Sequence, residues 1–171
     1  MTKFGLSQSV RRVEDPRLLK GQGRYTDDIA LPGQAIGYVL RSPHAHARIS
    51  AIDTAAAKSM PGVLAVLTGA DLKAAGLGDL PCEVPMKNRD GSDRAEAPHP
   101  ALAVDTVRHV GDPVAFVVAE SYAQAKDAAE AIAVDYDTLP STTDLAAADK
   151  GAPVWPAAPN NVVFDWEVGD K

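Results

Sequence analysis

Two histidines one residue apart, His44 and His46 in SPHAHAR, are the side chains whose spacing most readily suggests chemistry. On a strand they project to the same side and could offer two imidazoles to a metal, but no third ligand stands at a recognisable spacing. A surface or interface pair of histidines is therefore the better reading. Ser42, close to His44, lacks the GxSxG context that would make it a hydrolase nucleophile. Cys82 lies in a loop with neither a close histidine nor a helix start to activate its thiol. Gly21-x-Gly23 has the look of a dinucleotide fingerprint, yet position 26 is Thr, and neither a preceding strand nor a following helix can be read. A turn that needs glycine dihedrals accounts for it better. Asp27-Asp28 could bind a cation, although solvated turn carboxylates are far commoner. Trp155 and Trp166 read as packing residues. The expected inventory is no catalytic, no cofactor-binding and no metal-binding residue in this chain.

The elements that carry these residues are best read outward from residues 110–140. Val114 to Ala119 is a short apolar run, a strand buried on both faces. Ser121 and Gln124 have the spacing of a reciprocal capping box, which opens a helix with Tyr122, Ala125, Ala129 and Ile132 on one face. The alanines let that helix lie close to a sheet. Val134 and Tyr136 lead out in an extended segment that Leu139-Pro140 stops. Upstream, Ala35 to Arg41 is a strand, Ser42-Pro43 a turn, and Ile49 to Ile52 extended. Asp53 or Thr54 can cap TAAAKSM, which Pro61-Gly62 ends, and Val63 to Leu67 is a strand. Thr68 and Asp71 form a second capping box at the head of ADLKAAG, a helix that Gly76 terminates. LAVDTVRHVGDP supplies a short strand and turn. Residues 1–33 form an irregular lead-in, 77–100 a long loop, 141–161 a loose connector, and 162–171 the opening of a strand. The alternation indicates one α+β or mixed α/β domain.

Composition narrows the function classes. A 171-residue chain at 46% hydrophobic and 23% charged is long enough for one domain with a real core. A net charge of −6, with no Lys/Arg cluster interleaved with aromatics, argues against nucleic acid as a partner. A single cysteine rules out an internal disulfide and suggests a reducing, cytoplasmic setting. No apolar run reaches membrane-spanning length. Arg11-Arg12 would suit a twin-arginine signal, but Glu14, Asp15, Arg17 and Lys20 stand where an apolar stretch must follow.

Four ordered motifs, RLLKGQGRYTDDIALPG, RSPHAHARISAID, PGVLAVLTGADL and VRHVGDPVAFVVAESYAQAKDAAEAIAVDYDTLP, resemble the amino-terminal domain of molybdenum hydroxylase large subunits. This is the aldehyde oxidase and xanthine dehydrogenase family, and the likeness is strongest to large subunits of aerobic-type carbon monoxide dehydrogenase. It runs from Val10 to Asp170. The resemblance implies an α/β hammerhead, with a mixed β-sheet and a few short helices. It also implies that the segments holding molybdopterin cytosine dinucleotide, and the glutamate that acts as base, belong to domains absent here, so that no catalytic residue carries over. The [2Fe-2S] and FAD groups would sit on partner subunits. On that reading the chain is a non-catalytic scaffold of a molybdenum-dependent oxidoreductase, inactive alone. It would contact the cofactor domains and the iron-sulfur subunit through SPHAHAR and GQGRYTDD. The alternative is a free-standing hammerhead binding module that uses the 77–100 loop for a small ligand or protein.

Overall fold

The computed structural model describes residues 12–83 and 86–169. Arg11 of the twin-arginine pair, and Val10 and Asp170 at the ends of the resembling stretch, lie outside the described residues. By internal contacts the chain divides into two units, Met1–Gln34 and Ala35–Lys171. Within the described part of the first unit, α1 (Asp15–Leu19) is followed by a single 3-10 turn at Thr26–Asp28. The Asp28 carboxylate, at the end of that turn, accepts the amide proton of Tyr25, which precedes it, at 2.9 Å and so closes the turn.

The second unit contains β1 (Ile36–Arg41), β2 (Ala47–Asp53), α2 (Ala55–Lys58), β3 (Val63–Thr68), α3 (Gly69–Ala74), β4 (Thr106–Val107), β5 (Pro113–Ala119), α4 (Tyr122–Glu130) and β6 (Ala133–Thr138). A 3-10 stretch, Leu145–Lys150, lies in the connector. The strands form two three-stranded sheets, β1-β5-β3 and β4-β2-β6, and every ladder is antiparallel. The α+β class is therefore as the sequence indicated. β5 is the centre of its sheet, which explains its nearly continuous apolar run. Ala115, Val117 and Ala119 enter one core with α4, while Val114, on the opposite face, enters a second core with Ala47, Ala103 and Val107. Complete burial of a side chain such as Val117 stabilises the fold by about 1.5–3 kcal/mol.

Helix α4 packs on β1 and β5 through Ala125, Ala128 and Ala129, all fully buried. Tyr122, expected on that face, is 60% exposed and instead meets Tyr38 edge-on, with ring centroids 5.7 Å apart. Ala128 takes its place in the buried stripe. A large ring at the first helical turn does not fit where the helix approaches the sheet on alanines.

The caps show how local patterns fare. Thr68 and Asp71 close the expected box: the Asp71 carboxylate accepts from both the amide and the hydroxyl of Thr68 at 2.7 Å. At α2 it is Asp53 that accepts the Ala55 amide, at 2.9 Å. At α4 the box closes only halfway. Ser121 Oγ accepts from the Gln124 amide at 3.4 Å, but Gln124 Oε1 accepts from the Ser121 hydroxyl, not from its amide. The Gln124 carboxamide lies over Gly62, where an added Cβ would come within 2.1 Å of Nε2. Gln124 thus stays bonded to Ser121, through the hydroxyl, while its carboxamide packs over Gly62.

Residues 162–168 do not form a strand. They run along the 86–95 segment, with the carbonyls of Val163 and Asp165 accepting from Ala95 and Arg89 at 2.8 and 2.9 Å. Arg89 pairs with Asp165 and Glu167. Val163 is half-buried on this side, whereas Phe164, Trp166 and Val168 are exposed. Trp166, at 56% exposure, is thus not the packing residue its type suggested. A few backbone bonds to an irregular neighbour do not amount to the repeating ladder that a strand requires.

Candidate functional site

Residues 42–46 of SPHAHAR are held in a tight bend before β2, and only Ala47 and Arg48 lie on the strand itself. Buried Ser42 accepts the His44 amide proton through Oγ at 3.0 Å and donates to the His44 carbonyl at 3.2 Å. Its backbone exchanges bonds with the 111–112 turn: the Ser42 amide donates to the Asp112 carbonyl, and the Gly111 amide to the Ser42 carbonyl. Arg41 adds a bond to the Gly111 carbonyl at 2.8 Å. Ser42 is therefore a turn-forming residue.

The two histidines do not converge. The His44 ring lies against Tyr136 at 4.8 Å between centroids, and His46 Nδ1 is 2.8 Å from the Pro140 carbonyl. Each ring joins the bend to a different part of the β6 region. Burial pushes the Tyr136 phenol pKa up, with a hydrogen bond from Ser42 working the other way. The expectation that both imidazoles project from one side of a strand fails because β2 starts only at Ala47. Of the other residues weighed from the sequence, Asp28 is engaged at the Tyr25 turn, and Cys82 is an exposed free thiol whose carbonyl accepts from Arg94. Gly21 adopts φ +68, the left-handed turn geometry read for it.

The two ends of the 77–100 loop, read from the sequence as a possible ligand-binding segment, border a cleft of about 520 Å³ with α3, residues 101–105 and Trp155; what sequence reasoning missed is the part that α3, Arg108 and Trp155 play in it. Its apolar walls come from Leu72, Leu77, Leu80 and Leu102. At one end the Arg108 guanidinium lies over the Trp155 ring, 3.6 Å from its centroid. Arg108 Nη1 donates to the Thr106 carbonyl at 3.0 Å and Nε to the Val154 carbonyl at 3.3 Å. Trp155 is thus a packing residue, but its partner is a cation 47 residues away, and no periodicity could have paired them. Desolvation lowers the Arg108 pKa, with Asp105 and Asp112 opposing that shift only through space. Among the described residues no group of three or more His, Cys, Asp or Glu side chains could hold a metal ion. The donor set does not fit a molybdenum centre, and no step through one is assigned to these residues.

Residues 20–140 match the family described as aldehyde oxidase and xanthine dehydrogenase, a/b hammerhead domain. This chain belongs to that family. It is 40% identical to the carbon monoxide dehydrogenase large chain of Afipia carboxidovorans across 98% of its own length and 21% of that protein's. It is also 40% identical to the nicotine 6-hydroxylase large subunit of Paenarthrobacter nicotinovorans, over 90% of this chain and 18% of the relative. Among solved structures, quinoline 2-oxidoreductase from Pseudomonas putida 86 superposes with a TM-score of 0.69 at 44% identity, over 86% of this chain and 18% of that one. The chain therefore spans about a fifth of the length of these relatives. The fold that the four motifs implied is the fold observed.

Proposed function

We propose that this chain is the amino-terminal hammerhead of the large subunit of a molybdenum-dependent oxidoreductase, acting as a non-catalytic scaffold. The observation that carries the reading is 40% identity along 98% of the chain to a carbon monoxide dehydrogenase large chain. A relative named as a xanthine dehydrogenase molybdenum-binding subunit, from Escherichia coli O157:H7, supports it at 34% identity over 84% of this chain. In the parent enzyme, molybdopterin cytosine dinucleotide would be held outside this domain and would supply the oxidation of CO, an aldehyde or an N-heterocycle. The [2Fe-2S] and FAD groups would reside on partner subunits, and the assembly would be cytoplasmic. No helix among the described residues is long and apolar enough to cross a membrane.

The domain's own part is positional. Two antiparallel sheets with interlocked turns present fixed surfaces, and the side chains available for contact differ between the two candidate segments. In the lead-in, Tyr25, Ile29 and Leu31 are exposed. In SPHAHAR, the rings of His44 and His46 are committed to Tyr136 and Pro140, and the exposed positions are Pro43 and Arg48. Tyr25→Ala should therefore weaken association with the iron-sulfur subunit directly, whereas His44→Ala and His46→Ala should act by loosening the bend. Reconstitution of the complex tests this; unchanged assembly with all three replaced would sink the contact assignment. An immunoblot of native extract tests the larger reading. A band several times heavier than 17.9 kDa that co-purifies with molybdenum is expected. A band near that mass without molybdenum would overturn it.

A further inference from the structure

We propose that the cleft between α3, residues 77–80 and 98–105, and Trp155 binds a small amphiphilic carboxylate, its apolar body against the leucines and its anionic end at Arg108. The inference goes beyond the scaffold reading and does not depend on it. Its volume of about 520 Å³ falls in the range of small-molecule pockets, and its lining is mostly apolar with a few placed polar groups. The depth is set by backbone: Gly69, at the head of α3, has no side chain because its Cβ would lie 2.4 Å from the Ala103 carbonyl oxygen.

The choice of an anion rests on how Arg108 is held. Two of its three nitrogens donate to neutral carbonyls, Nη2 makes no hydrogen bond among the described residues, and the plane of the fork is fixed against Trp155. No buried side-chain nitrogen or oxygen is left without a partner among those residues, so Nη2 retains access to solvent. A guanidinium oriented in this way, with one open donor, suits a carboxylate oxygen. Asp79 and Asp105 also border the cleft, but both are exposed, and Asp105 reaches Arg108 only through space. Lys73 stands on the same rim and offsets part of their charge. The apolar walls would be indifferent to the head group, so discrimination between an acid and the matching alcohol falls to Arg108.

The test is calorimetric titration of the 171-residue chain with octanoate and, separately, with octanol, at neutral pH. Octanoate should bind about tenfold more tightly than octanol, the scale of one charge-assisted hydrogen bond. Arg108→Met, which keeps an apolar stem and removes the guanidinium, should reduce octanoate to the level of octanol. A thermal melt establishes that the variant is folded. The comparison of the two probes on the wild-type chain needs no variant at all. Absence of octanoate binding, equal affinity for both probes, or an anion preference that survives Arg108→Met would each overturn the proposal. Any of these results would leave the immunoblot test of the scaffold reading untouched, so the two can fail separately.

Discussion

Replacing Gly69 by alanine tests whether the wall between α3 and the 102–103 backbone is rigid. The added Cβ would meet the Ala103 carbonyl oxygen at 2.4 Å and the Leu102 carbonyl oxygen at 2.8 Å, where ordinary contact begins near 3.4 Å. Relief requires the two chains to part by roughly 1 Å, in a place where overpacking typically costs about 1–3 kcal/mol. The neighbours cannot retreat freely. Leu102 and Ala103 are buried, and the Ala103 amide is tied to the Pro113 carbonyl of β5 at 2.7 Å. Working against this, alanine is the better helix former by up to about 1 kcal/mol. The net expectation is a destabilisation of about 1–2 kcal/mol, hence a drop in Tm of about 2–8 °C for a domain of this size. Gly78→Ala is the control in the same region, since nothing lies within 4 Å of the added Cβ and its φ is not positive. It should stay within about 0.5 kcal/mol of wild type. Thermal and urea unfolding followed at 222 nm would read both. If Gly69→Ala melts at or above the wild-type temperature, the propensity gain has won, α3 slides easily, and the close approach is not a constraint.

Thr68→Ala should lower stability by about 1 kcal/mol at neutral pH through loss of the α3 cap. The hydrogen bonds of Thr68, the hydroxyl first and the amide second, hold the Asp71 carboxyl below the usual carboxylate range. A carboxyl depressed in the folded state contributes fully above its unfolded pKa and loses that contribution as the pH falls through the folded value. The gap between wild type and Thr68→Ala should therefore narrow below about pH 4; urea midpoints at pH 7 and pH 3 that differ by the same amount would contradict this. Ala128→Leu forces a larger side chain between α4 and the sheet, where Ala128 has no exposed surface. It should cost about 1–3 kcal/mol, measured by urea unfolding, and a neutral result would mean that α4 can lift from the sheet.

Much of the hammerhead was legible because its signals are local. The apolar run of β5, the Thr68-Asp71 box and the Pro61-Gly62 stop each depend on residues a few positions apart, and each appears close to where the pattern put it. The readings that failed were those in which a residue's role depends on a distant neighbour. Gln124 bonds the Ser121 hydroxyl in place of its amide while its carboxamide packs over Gly62, and Tyr122 leaves the buried face to meet Tyr38. His44 and His46 looked like a pair by spacing, and tertiary contacts with Tyr136 and Pro140 separate their rings.

The sequence by itself determined the family and the order of strands and helices between residues 35 and 138, since these rest on short-range patterns and ordered motifs. Only the tertiary structure decided that the strands divide into two antiparallel sheets, and that Arg108, held by the carbonyls of Thr106 and Val154, meets Trp155 at one end of a 520 Å³ cleft. The physical reason is that such a cleft is made of surfaces brought together by chain closure. Its wall residues carry no periodicity relative to one another, and the charge of Arg108 acquires its half-buried setting only once the connector has folded back.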